Sequence, residues 1–208
     1  MSTYSWRTSE KEIYPTKKAP SIVTLPRQRF LAIKGQGDPN DNAAFSAAIQ
    51  TLYTLSYTIK MAPRKGIDFP GAFDYGVYPL EGFWTLPADY QAVGLDKSQL
   101  LYTIMIKQPD FVTAAVFAEA QALAAKKLTP AELAQVALIE RDEGLVGMIL
   151  HQGAFDDEPA SFARLGAFVE QAGYQRTSKA HKEIYLSDFR RVAPEKRKTI
   201  LRVSLAPL

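Results

Sequence analysis

The chain has 208 residues, 47% apolar and 23% charged, a globular balance that excludes wholesale disorder. Its 25 basic and 22 acidic residues leave a net charge of +3, too slight to mark a nucleic-acid footprint. It has no cysteine, which removes disulfides, thiolate nucleophiles and zinc–cysteine sites together.

Residues 1–20 form a polar lead-in without the apolar core and small-residue cleavage site of a signal peptide. No apolar run approaches the roughly 20 residues of a membrane helix. A cytoplasmic protein with neither membrane nor nucleic-acid partner is expected. Ile22 to Gly37 reads as extended, broken by Pro26. Phe45, Ile49, Leu52 and Ile59 then form a helical stripe, with Asp41 or Asn42 as cap. After a Pro/Gly-rich loop, Tyr75–Leu86 and Gln99–Pro109 read as strands. Asp110–Lys127 is alanine-rich and helical, and Thr129, Pro130 and Glu132 spell a capping box.

Gly144–Gly153 is extended again, and its Gln152-Gly153 ending repeats Gln36-Gly37. A helix follows with the stripe Phe162, Leu165, Val169 and Ala172, and Gly173 is placed to stop it. His181–Asp188 and Thr199–Pro207 are two further strands, joined by the basic run Arg190–Thr199, which reads as a solvated connection. Strand–helix–strand–strand thus occurs twice, over about 21–109 and 136–208, with 110–135 as a helical joint. Two such units imply an α+β fold of duplicated βαββ type. Its single antiparallel sheet carries helices on one face and a ligand groove on the other.

Alternation along "HKEIYLSD" sets Ile184 and Leu186 on one face and Glu183, Tyr185 and Ser187 on the other. If the apolar pair meets the helices, Glu183 and Tyr185 face the groove. In "YPLEGFWTL", Phe83 and Trp84 must point to opposite faces, and a bulge at Gly82 would leave open which enters the groove. Tyr78 shares Trp84's parity. Tyr102, Ile104 and Ile106 form one face of the next strand and Met105 the other. Aromatic rings near a lone carboxylate suit a flat, aromatic or cationic organic ligand, whereas a solvated Glu183 beside core aromatics is the plainer alternative. His151 and His181 fall in separate units, with no spacing that suggests a metal site, and no cofactor motif is present. Asp156, Asp157 and Glu158 sit where carboxylates complement a helix dipole.

"HQGAFDDEPASFARLGAFVEQAG", "HKEIYLSD" and "KRKTILRVSL" resemble the second repeat of GyrI-like small-molecule-binding proteins. "YPLEGFWTL", "YTIMIKQPDFVT" and "IKGQGDPNDNAAFSAAIQTLYTLSYTIKM" resemble its stand-alone branch, so the likeness runs from about residue 20 to the end. The resemblance implies the duplicated βαββ fold of effector-binding domains, here without a DNA-binding helix-turn-helix ahead of it. It further implies a cleft in which a glutamate and aromatics hold hydrophobic, often cationic compounds. In some stand-alone members that cleft hydrolyses the cyclopropane of DNA-alkylating antibiotics. Glu183 matches that glutamate, with Tyr185 beside it as the second catalytic candidate. Trp84 matches the aromatic position, and Tyr102, Phe83, Tyr78, Met105 and Met148 are the further ligand-contact candidates. Phe155 stands where a tyrosine is usual, so a role for that hydroxyl is absent here.

Overall fold

The computed structural model describes residues 3–91 and 94–208. The first half contains α1 (Trp6–Ser9), β1 (Ser21–Leu25), β2 (Gln28–Gln36), α2 (Ala43–Met61), β3 (Leu80–Thr85), β4 (Leu101–Gln108) and α3 (Ala114–Ala124). The second contains α4 (Pro130–Gln135), β5 (Ala137–Arg141), β6 (Gly144–Gln152), α5 (Glu158–Gln171), β7 (Tyr174–Arg176), β8 (His181–Tyr185) and β9 (Lys198–Pro207). Asn42 caps α2 by accepting the Phe45 N–H, while the side chain of Asp41 lies outside what is described. The capping box at Thr129 and Glu132 is formed. Gly173, at a φ of +84° that favours glycine, follows the end of α5.

The strands form one antiparallel sheet in the order β1-β6-β9-β8-β3-β4-β2-β5, with β7 added to β9. The two strand–helix–strand–strand units therefore contribute mirrored trios, β6-β9-β8 and β3-β4-β2, which meet where β3 pairs with β8. Pro26 marks a change of partner: β1 pairs with β6 of the second unit, β2 with β4 and β5. Residues opposed across strands share a face. Ile104, Gly82, Glu183, Leu201 and Ile149 lie in one such row. That face carries both long helices. Phe45 of α2 packs edge-on to Tyr102 at 5.0 Å, and Leu165 and Val169 of α5 cluster with Ile149 and Leu201.

Glu183 and Tyr185 thus face the helices, and Lys182 and Ile184 face away, the reverse of the pairing expected from alternation. The physical reason is that the second face is buried as well. The N-terminal segment covers it: Tyr14 is 1% exposed, its hydroxyl meets Glu81 Oε1 at 3.4 Å, and Arg202 donates to the Ile13 carbonyl at 3.1 Å. The polar lead-in therefore supplies core residues, Trp6 and Tyr14. Beneath it Lys182 bridges Glu81 at 2.7 Å and Glu143 at 2.6 Å, and Arg202 reaches Glu143 at 2.7 Å. Among the described residues no helix is long and apolar enough to cross a membrane.

Candidate functional site

β3 pairs without interruption with both β4 and β8, so no bulge interrupts it at Gly82, and the alternation is strict. Trp84 therefore shares the helix-side face with Gly82 and Glu183, and Phe83 points to the other, where its ring lies 4.4 Å from the Arg141 guanidinium. A glycine at position 82 is a steric necessity. A Cβ there would stand 2.6 Å from Trp84 Nε1 and 3.0 Å from the Tyr185 hydroxyl. The indole and the phenol both lie over this bare stretch of strand, and Trp84 Nε1–H donates to the Tyr185 oxygen at 3.1 Å. Phe45 and Tyr102 back the indole at 5.9 and 5.5 Å.

Glu183 emerges beside this pair. Its Oε1 lies 3.0 Å from His181 Nε2, whose ring is held edge-on by Phe162 of α5 at 5.0 Å. The third member is Glu158, in the first turn of α5, buried and facing Glu183. Burial first, then the charge of Glu183 and that of Asp156, push the Glu158 carboxyl well above the usual carboxylate range. Burial likewise drives the Tyr185 phenol far above its usual range, and the neighbouring Glu183 carboxylate adds to this. Phe155, where a tyrosine was the expectation, packs edge-on against Tyr185 at 6.0 Å and Phe189 at 5.9 Å.

Tyr185 also belongs to a second feature, an open basin of about 970 Å³ bounded by α2, the Val77–Leu80 approach to β3 and the Tyr185–Arg191 segment. Tyr53, Leu80, Tyr185 and Phe189 supply apolar wall. Glu183 and Trp84 do not line it; Tyr185 lines it and contacts both.

The sequence candidates therefore divide. Glu183, Tyr185, Trp84 and Tyr102 converge on the helix side. Tyr78 lies outside β3, borders the basin and hydrogen-bonds Glu10. Met105 is buried with Phe30 on the reverse face, and Met148 there receives Arg202 Nε at 3.2 Å. The two histidines do not meet. His151 is spent on Ser161 Oγ and the Ala154 carbonyl, each at 2.9 Å, whereas His181 converges with two carboxylates. Glu158 escaped the sequence reading as a helix-start acid. Its signal was present, since Glu158 precedes Phe162 by four and Leu165 by seven residues and so falls on the buried stripe of α5.

Two solved structures from Listeria innocua resemble the chain over nearly its whole length. One, described as a hydrolase, is 34% identical, with 98% of this chain and 100% of that one covered and a TM-score of 0.88. Another, described as an uncharacterized conserved protein, is 35% identical with the same coverage and a TM-score of 0.89. The EcmrR C-terminal domain, at 11% identity, 91% and 98% coverage and a TM-score of 0.51, shares the fold. No match was found among curated proteins. The model of the GyrI-like small molecule binding domain matches residues 18–205, and the chain belongs to that small-molecule-binding family.

Proposed function

We propose that the protein takes a flat, hydrophobic, aromatic or cationic compound into the basin and against Tyr185, and that it hydrolyses cyclopropane-containing DNA-alkylating compounds at Glu183. The observation that carries this reading is that Tyr185 belongs both to the wall of the 970 Å³ basin and to the Glu183–Trp84 cluster. The hydrolase description of a 34%-identical structure supports it. Tyr185 meets the ligand, Trp84 and Tyr102 hold its ring in place from behind, and Glu183 beside it supplies the negative charge. In the reaction, the oxygen of a water held by Glu183 bonds to the strained carbon and the ring carbon–carbon bond breaks. Its electron pair moves into the conjugated carbonyl, giving a phenolate. The proton from water passes by way of Glu183 to that oxygen, so the product is substrate plus one water. General-base assistance of this kind is worth about 10²–10⁴-fold, enough for a strained ring.

Arg7, Lys65, Lys127, Arg190 and Arg191 border the basin against Glu132 and Asp188, so its rim favours neutral or anionic groups. A positive group on the ligand belongs at the Tyr185 end, beside the Glu183 carboxylate. The test is to incubate the protein with a cyclopropane-bearing DNA alkylator and follow its mass. Gain of one water, lost in Glu183→Gln, is expected. An unaltered compound that still quenches tryptophan fluorescence would instead mean a binder that sequesters its ligand. Neither change in mass nor quenching would refute both.

A further inference from the structure

His181 and Glu183 stand two residues apart on β8 and so share a face, and Glu158 comes to them from the first turn of α5. One ligand atom of each lies within 4.8 Å of the other two. Glu158 is 6% exposed, and its Oε1 has no hydrogen-bond partner among the described residues. Among the described residues neither Glu158 nor Glu183 is paired with a lysine or arginine; the contacts made by Glu183 are to the His181 imidazole and the Tyr185 hydroxyl. Folding disfavours a buried carboxyl with an unused oxygen beside a second carboxylate, and a cation between them removes that penalty. One imidazole nitrogen and two carboxylates suit a first-row divalent ion. Zinc in particular takes three protein ligands of this kind and keeps a fourth position for water. The side chains of His181 and Glu183 remain 23% and 12% exposed, which leaves that fourth position a path to solvent.

We propose that Glu158, His181 and Glu183 form a binding site for a divalent transition-metal ion, zinc(II) being the ion the donor set fits. Neither β8 nor α5 alone supplies the set, so the ion ties the sheet to the second helix. Its open position lies on the same side of the sheet as Trp84 and Tyr185, where an ion lowers the pKa of bound water toward neutrality.

The full chain, stripped with EDTA, is titrated with cobalt(II), read by its visible d–d absorption, and with zinc(II), read by calorimetry. One equivalent is expected to bind at roughly micromolar affinity or tighter. Glu158→Gln and His181→Gln should each weaken it by more than the tenfold to about hundredfold that a merely supporting residue contributes. Asp156→Asn, at the same helix start but 86% exposed, should leave it unchanged. Absence of the cobalt band at millimolar metal, or one-site binding that Glu158→Gln leaves intact, overturns the assignment. Should Glu158→Gln fail to fold, the partly exposed His181 position gives the same reading. The inference does not rest on the organic-ligand reading, and it gives Glu183 a different role: bound to the ion, that carboxylate is no longer the free base of the ring-opening step. A fluorescent hydrophobic dye that binds EDTA-stripped protein while metal fails sinks the metal site alone; the converse sinks the ligand cleft alone.

Discussion

Replacing Gly82 by alanine tests the geometry of the cleft with one methyl group. The new Cβ would stand 2.6 Å from Trp84 Nε1, 3.0 Å from the Tyr185 hydroxyl and 3.1 Å from Trp84 Cε2. Carbon–heteroatom contacts are comfortable near 3.5 Å, so the indole must lift by about 1 Å. It cannot lift freely, because Phe45 and Tyr102 back it, and the strand cannot retreat, because β3 is paired on both sides. Overpacking of this kind costs about 1–3 kcal/mol. Losing the Trp84–Tyr185 hydrogen bond adds about 0.5–1.5 kcal/mol. A loss of about 2–4 kcal/mol lowers the melting midpoint of a domain this size by roughly 5–15 °C. Thermal unfolding reads this directly, and dye binding should fall with it because the ring that meets the ligand has moved. Gly166→Ala is the internal control: it lies inside α5 with open space around it, and should stabilise by up to about 1 kcal/mol. Gly82→Ala within about 0.5 kcal/mol of wild type, with ligand binding intact, would refute the placement of Trp84 and Tyr185 over this glycine.

Trp84→Ala should cost about 3–5 kcal/mol of stability, measured by urea unfolding, and weaken ligand binding beyond that of a Phe83→Ala variant, whose ring faces the other side. Tyr185→Phe removes the acceptor of the Trp84 N–H and should cost about 1–2 kcal/mol; turnover unchanged in a folded Tyr185→Phe would take the hydroxyl out of the chemistry. Glu143 governs acid stability. Burial alone would raise its carboxyl, but the charges of Lys182 and Arg202 outweigh burial and hold it at about 2, against an ordinary 4.5. Its folded pKa is depressed, so its contribution of about 3 kcal/mol is complete above pH 4.5 and is lost as pH falls from there toward 2. Unfolding free energy followed against pH should show that loss in wild type and a flatter acid limb in Glu143→Gln.

The sheet and its two long helices were legible because their signals are local: the stripes of α2 and α5, the capping box at Thr129, and period-two alternation in β4 and β8. Short, half-exposed edge strands were not. β5 and β7 have burial patterns of mixed sign, and pairing with β2 and β9 defines them. The N-terminal lead-in reads as polar residue by residue, yet Trp6 and Tyr14 enter the core through contacts more than 60 positions away. Which face Glu183 occupies is also a tertiary fact. Alternation separates Glu183 from Ile184 but cannot say which face meets helices when both are buried. Lys182, in register with Ile184 and buried, was the clue that the second face is not a plain apolar one. Glu158 shows the opposite failure: the helical period placed it correctly, and the habit of reading acids at helix starts as dipole partners hid it.

The two faces of the central strand pair carry charge in different ways, and the difference separates structure from function. On the reverse face two carboxylates, Glu81 and Glu143, meet two cations, Lys182 and Arg202, at 2.6–2.7 Å. That set is balanced, so breaking it should destabilise, as removal of one partner of a buried pair does. On the helix face Glu158 and Glu183 have no such cation among the described residues, and Glu158 Oε1 has no hydrogen-bond partner among them. Folding by itself gives no reason to hold two carboxyls there. Glu158→Gln, which keeps shape and removes an acid, should therefore raise the unfolding free energy of the metal-free protein by about 1–3 kcal/mol in urea, even as it removes cobalt binding. Glu143→Gln should move stability in the other direction. A Glu158→Gln protein that is less stable than wild type would make Glu158 a structural residue, and the charge on this face would need a purely architectural account.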